Sequence, residues 1–308
     1  MRYDALLVLS FGGPEGPDDV MPFLANVTRG RDVPAARLEA VAARYRRFGG
    51  VSPINAANRA LVAALSGTVD IPVYWGNRNW RPLLADTVAQ MAAEGVRRAV
   101  CFVTSAYSGY SACDQYLEDI AAARAAVGAG APEIDKLRPF FDHPGFIEPF
   151  VAATSAALEA LPAARRAGAH LAFTAHSVPV AQPGAMTYAR EVEEASRLVA
   201  AGVGGHHPYS LAWQSRSGAP SVPWLEPDIG AHLETLRADG TEAAVVVPIG
   251  FVADHFEVVW DLDVEALPLA REAGLEVARA ATPGTHPAFV RMVASLVRER
   301  EQAFGATF

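Results

Sequence analysis

The chain has 308 residues, 51% apolar and 19% charged, which is long enough for two domains or one large α/β unit and too apolar for disorder. Its formal net charge of −8 argues against a general nucleic-acid binder and against a polybasic membrane-surface protein. With only Cys101 and Cys113, neither a disulfide scaffold nor a four-cysteine zinc or iron–sulfur site can form within one chain, and a reduced intracellular setting is expected.

From the N-terminus, MRYDALLVLSFGG holds a short apolar run preceded by Asp4 and followed by no small-residue cleavage pattern, so it is not expected to be a secretory signal. No run reaches the ~18 apolar residues of a membrane span, and a cytoplasmic location is expected. Short apolar runs then alternate with amphipathic stretches. Strands are predicted at 5–10, 71–75, 99–103, 170–174, 209–213, 243–248 and 276–279. Helices are predicted at 18–27, 34–48, 53–66, 83–94, 112–127, 145–160, 184–201, 227–238, 261–273 and 286–303. Most strand runs are continuously apolar, as in parallel strands covered on both faces, and the alternation predicts a doubly wound α/β fold. Gly49-Gly50 closes one helix, and Ser52-Pro53 reads as the N-cap and first residue of the next. The Gly- and Pro-bearing stretch 131–145 is the expected seam between two comparable halves, 1–140 and 141–308, with the last helix expected to cross back onto the first.

In open α/β sheets ligands sit outside the carboxyl ends of the strands, so the residues after each strand carry the functional question. After the first strand, Ser10-Phe11-Gly12-Gly13-Pro14-Glu15-Gly16 lacks the spacing of a dinucleotide fingerprint, and Pro14 removes an amide. It reads as a tight turn that lets something flat approach the backbone. Residues 29–59 hold seven arginines against two acids, a local +5 in a chain of −8. That excess suits either a solvated helix face or a patch for several carboxylates, which a guanidinium fork binds in pairs. Aromatic residues crowd the first half, in YWGNRNW and TSAYSGYSACDQY especially, as a wall for a planar apolar ligand would require.

His176 lies just past the strand at 170–174, in FTAHSVP, where an imidazole can accept a proton or ligate a transition metal. The absence of a G-x-S-x-G elbow argues against a serine hydrolase. In GFVADHFEVVWDLDVE, Glu257, Asp261 and Glu265 recur every four residues and would line one face of a helix. Such a file reads either as a solvated acidic face or as a path that conducts a hard or borderline dication inward. His206 and His207 are expected in a loop, and His255 as support for Glu257.

FTAHSVP and GFVADHFEVVWDLDVE together resemble the two signature segments of ferrochelatase, and NVTRGR, RYRRFGGVSPIN, YWGNRNW and QSRSGAPSVPWLEPD resemble companion segments in the same order. The resemblance covers nearly the whole chain and is closest to the bacterial, actinobacterial-type coproporphyrin III ferrochelatases. It implies two Rossmann-like doubly wound domains with a porphyrin cleft between them and insertion of Fe²⁺ as substrate into coproporphyrin III within haem biosynthesis. It further implies His176 and Glu257 as catalytic and metal-binding, with Asp261 and Glu265 continuing toward solvent. Phe11, Arg29, Arg31, Arg44, Tyr45, Ser52 and Tyr116 fall where the family contacts tetrapyrrole or its propionates, and Tyr107 or Tyr110 could replace Tyr116 in that match.

Two features depart from the wider family. Some bacterial members carry tyrosine at the place of Phe11, whose phenyl ring cannot ligate iron. Relatives with a [2Fe–2S] cluster use four cysteines, so no cluster and no permanently bound cofactor is expected here. A monomer is expected, with transient contact to neighbouring haem-pathway enzymes. The competing readings are a protoporphyrin IX ferrochelatase, a cobalt or nickel chelatase of a corrin-type precursor, and a non-catalytic porphyrin carrier. A two-lobed solute-binding protein fits the architecture without the export signal. The +5 segment favours the four propionates of coproporphyrin over the two of protoporphyrin.

Overall fold

The computed structural model describes residues 3–30, 33–219 and 221–305. In the first half, β1 (Ala5–Ser10), α1 (Val20–Val27), α2 (Ala35–Arg46), α3 (Ile54–Ser66), β2 (Val73–Asn77), α4 (Leu84–Ala93), β3 (Arg98–Val103), α5 (Gln115–Val127) and β4 (Glu133–Lys136) follow in order. The second half contains α6 (Pro144–Ala160), α7 (Ala163–Arg166), β5 (His170–His176), α8 (Ala185–Val203), β6 (Tyr209–Gln214), α9 (Ile229–Ala238), β7 (Ala243–Val247), α10 (Phe256–Val258), α11 (Leu267–Glu272), β8 (Glu276–Arg279) and α12 (Pro287–Gly305). Between α10 and α11 the chain continues as a π-turn, Val259–Ala266.

The strands form two parallel four-stranded sheets, ordered β2-β1-β3-β4 and β6-β5-β7-β8. The central strands of both sheets are largely buried and apolar. Leu7 pairs with Tyr74 on one side and Cys101 on the other, and Phe173 pairs with Leu211 and Val247. All six residues of β1 are buried. Each of its leucines withdrawn from water contributes about 1.5–3 kcal/mol, which an exposed edge strand could not match. In both sheets the chain leaves the first strand toward one neighbour and later returns to the other side, so each has a switch point beside its first strand. One continuous apolar core joins the halves, with Phe102, Phe140, Phe146, Phe173, Val245 and Phe289 all in it. The last helix, α12, packs on α6 and on α3.

The stretch 131–145, expected as the seam, also carries β4, whose polar EIDK lies at the sheet edge with Ile134 paired to Ala99. Two local expectations are corrected. Ser52 does not cap the following helix, because its hydroxyl accepts the Phe256 N–H at 3.2 Å from the other half. The helix predicted at 261–273 starts earlier, at Phe256, because the His255 ring supplies the cap: its Nδ1 accepts the Val258 N–H at 3.1 Å.

Candidate active site

His176 ends β5, the central strand of the second sheet. The chain leaving β7 then folds back across that strand end. A Cβ on Gly250 would lie 2.5 Å from the Ala175 Cβ, so only glycine permits the crossing. Its N–H also donates to the Thr174 carbonyl at 3.1 Å. The crossing delivers α10, and Glu257 with it, to the imidazole: Glu257 Oε2 is 3.5 Å from His176 Nε2.

The other ring nitrogen of His176 lies 2.5 Å from the Ser177 carbonyl. A carbonyl can only accept, so Nδ1 carries the proton and Nε2 is the atom available for chemistry. The Tyr188 hydroxyl donates to the His176 carbonyl at 3.1 Å and fixes the backbone there. Burial alone would pull the imidazole pKa down, but the hydrogen bond and negative charge of Glu257 hold it above the ordinary histidine value. Glu257 responds in the opposite sense: burial would raise it, yet His176 brings it down to about 2. Each partner favours the charged form of the other, imidazolium and carboxylate. Their side chains are 36% and 51% exposed, so the pair is open to solvent rather than sealed in a core. His255 Nε2 is 4.0 Å from the same Glu257 oxygen, which gives this ring two tasks, capping α10 and facing Glu257.

Asp261 comes next along the helix. Burial raises its carboxyl to about 6, against the Ser215 hydroxyl bonded to it and with Glu257 and Glu265 adding to the rise. Ser215 itself adopts φ +63°, a left-handed conformation rare for a residue with a side chain. A π-turn carries more than four residues per turn, so side chains four apart eclipse more nearly than on an α-helix. The turn at 259–266 therefore sets Asp261 and Glu265 in line. Glu265 is held by the Trp260 indole N–H at 2.6 Å and by Arg44 at 3.6 Å. The remaining acids of the segment, Asp254 and Asp263, turn to Arg279 instead.

The first half closes on this helix through aromatic contacts. The Tyr45 ring stacks on Phe256 at 3.7 Å with an 18° interplanar angle. Burial, with Glu257 nearby, pushes its hydroxyl pKa far up and keeps it neutral. Phe23 packs edge-on against Phe11, Tyr45 and Trp80. The Arg44 and Arg47 guanidinium groups lie 5.0 and 5.5 Å from the Trp260 ring centre. Arg44, Tyr45, Ser52 and Phe11 are thus gathered around the segment that bears Glu257.

Tyr116 is not gathered there: it is buried in the core of the first half with Ile120 and Ala123, under the Arg78 guanidinium. Tyr107 is the tyrosine that reaches the second half, donating to the Ile249 carbonyl at 2.8 Å. Arg29 is exposed at the end of α1, with no ion pair among the described residues, and Arg31 lies outside them. Other arginines of the +5 segment already have protein partners, Arg46 with Glu39 and Arg59 with Glu15. His206 and His207 do lie in a loop. Sequence reasoning missed Ser215, Tyr188 and Arg279. Ser215 follows the end of β6, so the strand-end rule alone could have flagged it.

Two parallel sheets of like strand order, with an imidazole and a carboxylate meeting at the carboxyl end of the second, make an arrangement found in chelatase folds. SirB from Bacillus subtilis with Fe³⁺ superposes with a TM-score of 0.59 at 14% identity, covering 98% of both chains. CbiX, described as the terminal enzyme for siroheme biosynthesis in denitrifying bacteria, gives 0.53 at 19% identity over 96% of this chain and 98% of its own. At such identities the likeness is one of fold. The sequence model of the ferrochelatase family matches residues 3–301, and the chain belongs to that family of metal chelatases. It is 58% identical to the coproporphyrin III ferrochelatase of Nocardia farcinica (strain IFM 10152), over 97% of this chain and 88% of that one. The enzyme of the same name from Frankia alni (strain DSM 45986 / CECT 9034 / ACN14a) is also 58% identical, over 96% of this chain and 79% of its own.

Proposed function

We propose that this enzyme inserts Fe²⁺ into coproporphyrin III to form the iron coproporphyrin of haem synthesis, with His176 and Glu257 as its catalytic pair. The observation that carries the reading is the 3.5 Å approach of His176 Nε2 to Glu257 Oε2, open to a ligand where the strands end. Identity of 58% to relatives named for this substrate supports the choice of ring.

The reaction exchanges two pyrrole protons for one dication. A resident cage of strong donors would hold iron rather than release it, and among the described residues no three His, Cys, Asp or Glu side chains converge as a metal cage. The pair supplies two donors, and the macrocycle nitrogens supply the rest. Fe²⁺ approaching Glu257 repels the imidazolium and drives the proton off Nε2. Asp261, with its carboxyl near pKa 6, passes that proton outward. The freed Nε2 then accepts the two pyrrole protons in turn, passing the first outward through Asp261 before it takes the second, while Glu257 guides iron inward, continued toward solvent by Asp261 and Glu265. Arg29, Arg31 and Arg44 meet propionates, and Phe11, Tyr45 and Ser52 border the ring. Tyr116 acts from behind this border by holding Arg78. Phe11 offers iron no oxygen, so product iron takes another axial ligand or water. The enzyme works as a monomer of two Rossmann-like domains, 1–140 and 141–308, without a resident cofactor or [2Fe–2S] cluster. It resides in the cytoplasm and touches neighbouring haem-pathway enzymes only transiently. Among the described residues no helix is long and apolar enough to cross a membrane.

The test is anaerobic Fe²⁺ insertion followed by the Soret band, with coproporphyrin III and protoporphyrin IX side by side. Turnover favouring coproporphyrin III is expected. Turnover of neither ring defeats the reading, and a preference for protoporphyrin IX reverses the choice of substrate.

A further inference from the structure

The segment that carries Glu257 is acidic well beyond the file that faces His176. Asp254 precedes Glu257 by three residues and Asp263 follows it by six. Both converge on Arg279, the last residue of β8. Its Nη1 and Nη2 donate to the two Asp254 oxygens at 3.1 and 2.8 Å, and its Nε donates to Asp263 Oδ1 at 2.8 Å. Thr282 Oγ1 adds a bond to Asp254 at 3.2 Å. The guanidinium is 18% exposed, and its planar fork fixes the geometry of both carboxylates, which a lysine ammonium could not do.

One anchor stands before a π-turn and the other within it. A π-turn is rare, and it persists where surrounding contacts over-determine it. Relaxation to α-helix would rotate everything past the extra residue by about 100°. Asp261 and Glu265 would then leave the line they form with Glu257. Asp254 fixes the chain before the turn and Asp263 fixes it within, so a single side chain spans the stretch in which the register could slip.

We propose that Arg279 is a positioning residue: it locks the π register of residues 259–266 and thereby aligns Asp261 and Glu265 behind Glu257 for delivery of the dication. The inference rests on the ferrochelatase reading for its consequence and on the fork alone for its geometry. Arg279→Gln is expected to raise the KM for Fe²⁺ about tenfold, the effect of losing one charge-assisted bond set, while the KM for coproporphyrin III stays within about twofold. Arg279→Lys should recover part of that loss. Amide hydrogen exchange across residues 259–266 should quicken in Arg279→Gln, a readout that needs no turnover. If that variant does not fold, Asp263→Asn, which leaves the Asp254 fork in place, carries the test with the same signs and a smaller effect. Equal losses for both substrates, or unchanged exchange in 259–266, would overturn the proposal. A wild type that inserts no iron would instead defeat the functional reading and leave the exchange measurement to decide the fork.

Discussion

The carboxyl ends of the two sheets show what one scaffold does with two sets of side chains. In the first sheet the strand-end polar groups are inward and satisfied. Ser10 accepts from Thr104 at 2.9 Å, and Asn77 accepts the Trp75 indole N–H at 2.9 Å while donating to the Arg81 carbonyl at 3.1 Å. Ser10 and Asn77 are fully buried. In the second sheet Gln214, at the end of β6, is buried like Asn77, but His176 at the end of β5 and Glu257 beyond β7 are both titratable and both open to solvent. A buried, fully bonded asparagine fixes loops and cannot exchange protons, whereas an exposed imidazolium–carboxylate pair can. Under the proposed function, the first half would supply a wall and charge complementarity, and the second proton and metal chemistry.

The sharpest way to break this division is His176→Ala. Removing a positioned acid–base group should lower kcat by about 10²–10⁴-fold with tetrapyrrole affinity little changed. Loss of affinity with the remaining turnover intact would place the imidazole in binding instead. Arg44→Ala probes the other side. In steady-state assays it should raise the KM for coproporphyrin III by about tenfold, the worth of one charge-assisted contact, with a smaller effect on the KM for Fe²⁺ through its pairing with Glu265.

The smallest effect concerns stability and sharpens the electrostatics of the second half. The Asp261 carboxyl stands at about 6, above its ordinary value, so the folded protein holds this proton more tightly than the unfolded chain. Asp261 therefore costs stability as pH rises from its unfolded pKa of about 4 to its folded one of about 6, and the cost persists above that. Asp261→Asn should raise the melting temperature relative to wild type by about 2–4 °C at pH 8 and leave it unchanged at pH 4. A gain equal at both pH values would show that the carboxylate is not strained there.

Much of the scaffold is legible from local pattern. The runs at β1, β5 and β7 are continuously apolar because both faces are covered, and that alone predicts central parallel strands. The edge strand β4 is not legible, since EIDK has neither an apolar run nor clean alternation and forms because β3 offers it a free edge. Of the site, His176 and Glu257 announce themselves by chemistry and place. The π-turn does not, because a four-residue spacing suits α and π geometry alike until tertiary contacts choose. Ser215 and Arg279 are equally silent: their partners lie 46 and 16 or more residues away, and only folding brings them together. Tyr116 shows the converse, an aromatic residue near a strand end that the core claims.

In the proposed mechanism the carboxylate of Glu257 acts on iron and protons rather than in holding the ring. Single-turnover Fe²⁺ insertion and coproporphyrin III affinity, measured together on wild type and Glu257→Gln, test it most directly. The glutamine keeps the shape and removes the charge, so affinity should hold within about threefold while insertion slows by about 10²-fold or more. Insertion at the wild-type rate in Glu257→Gln would contradict the account.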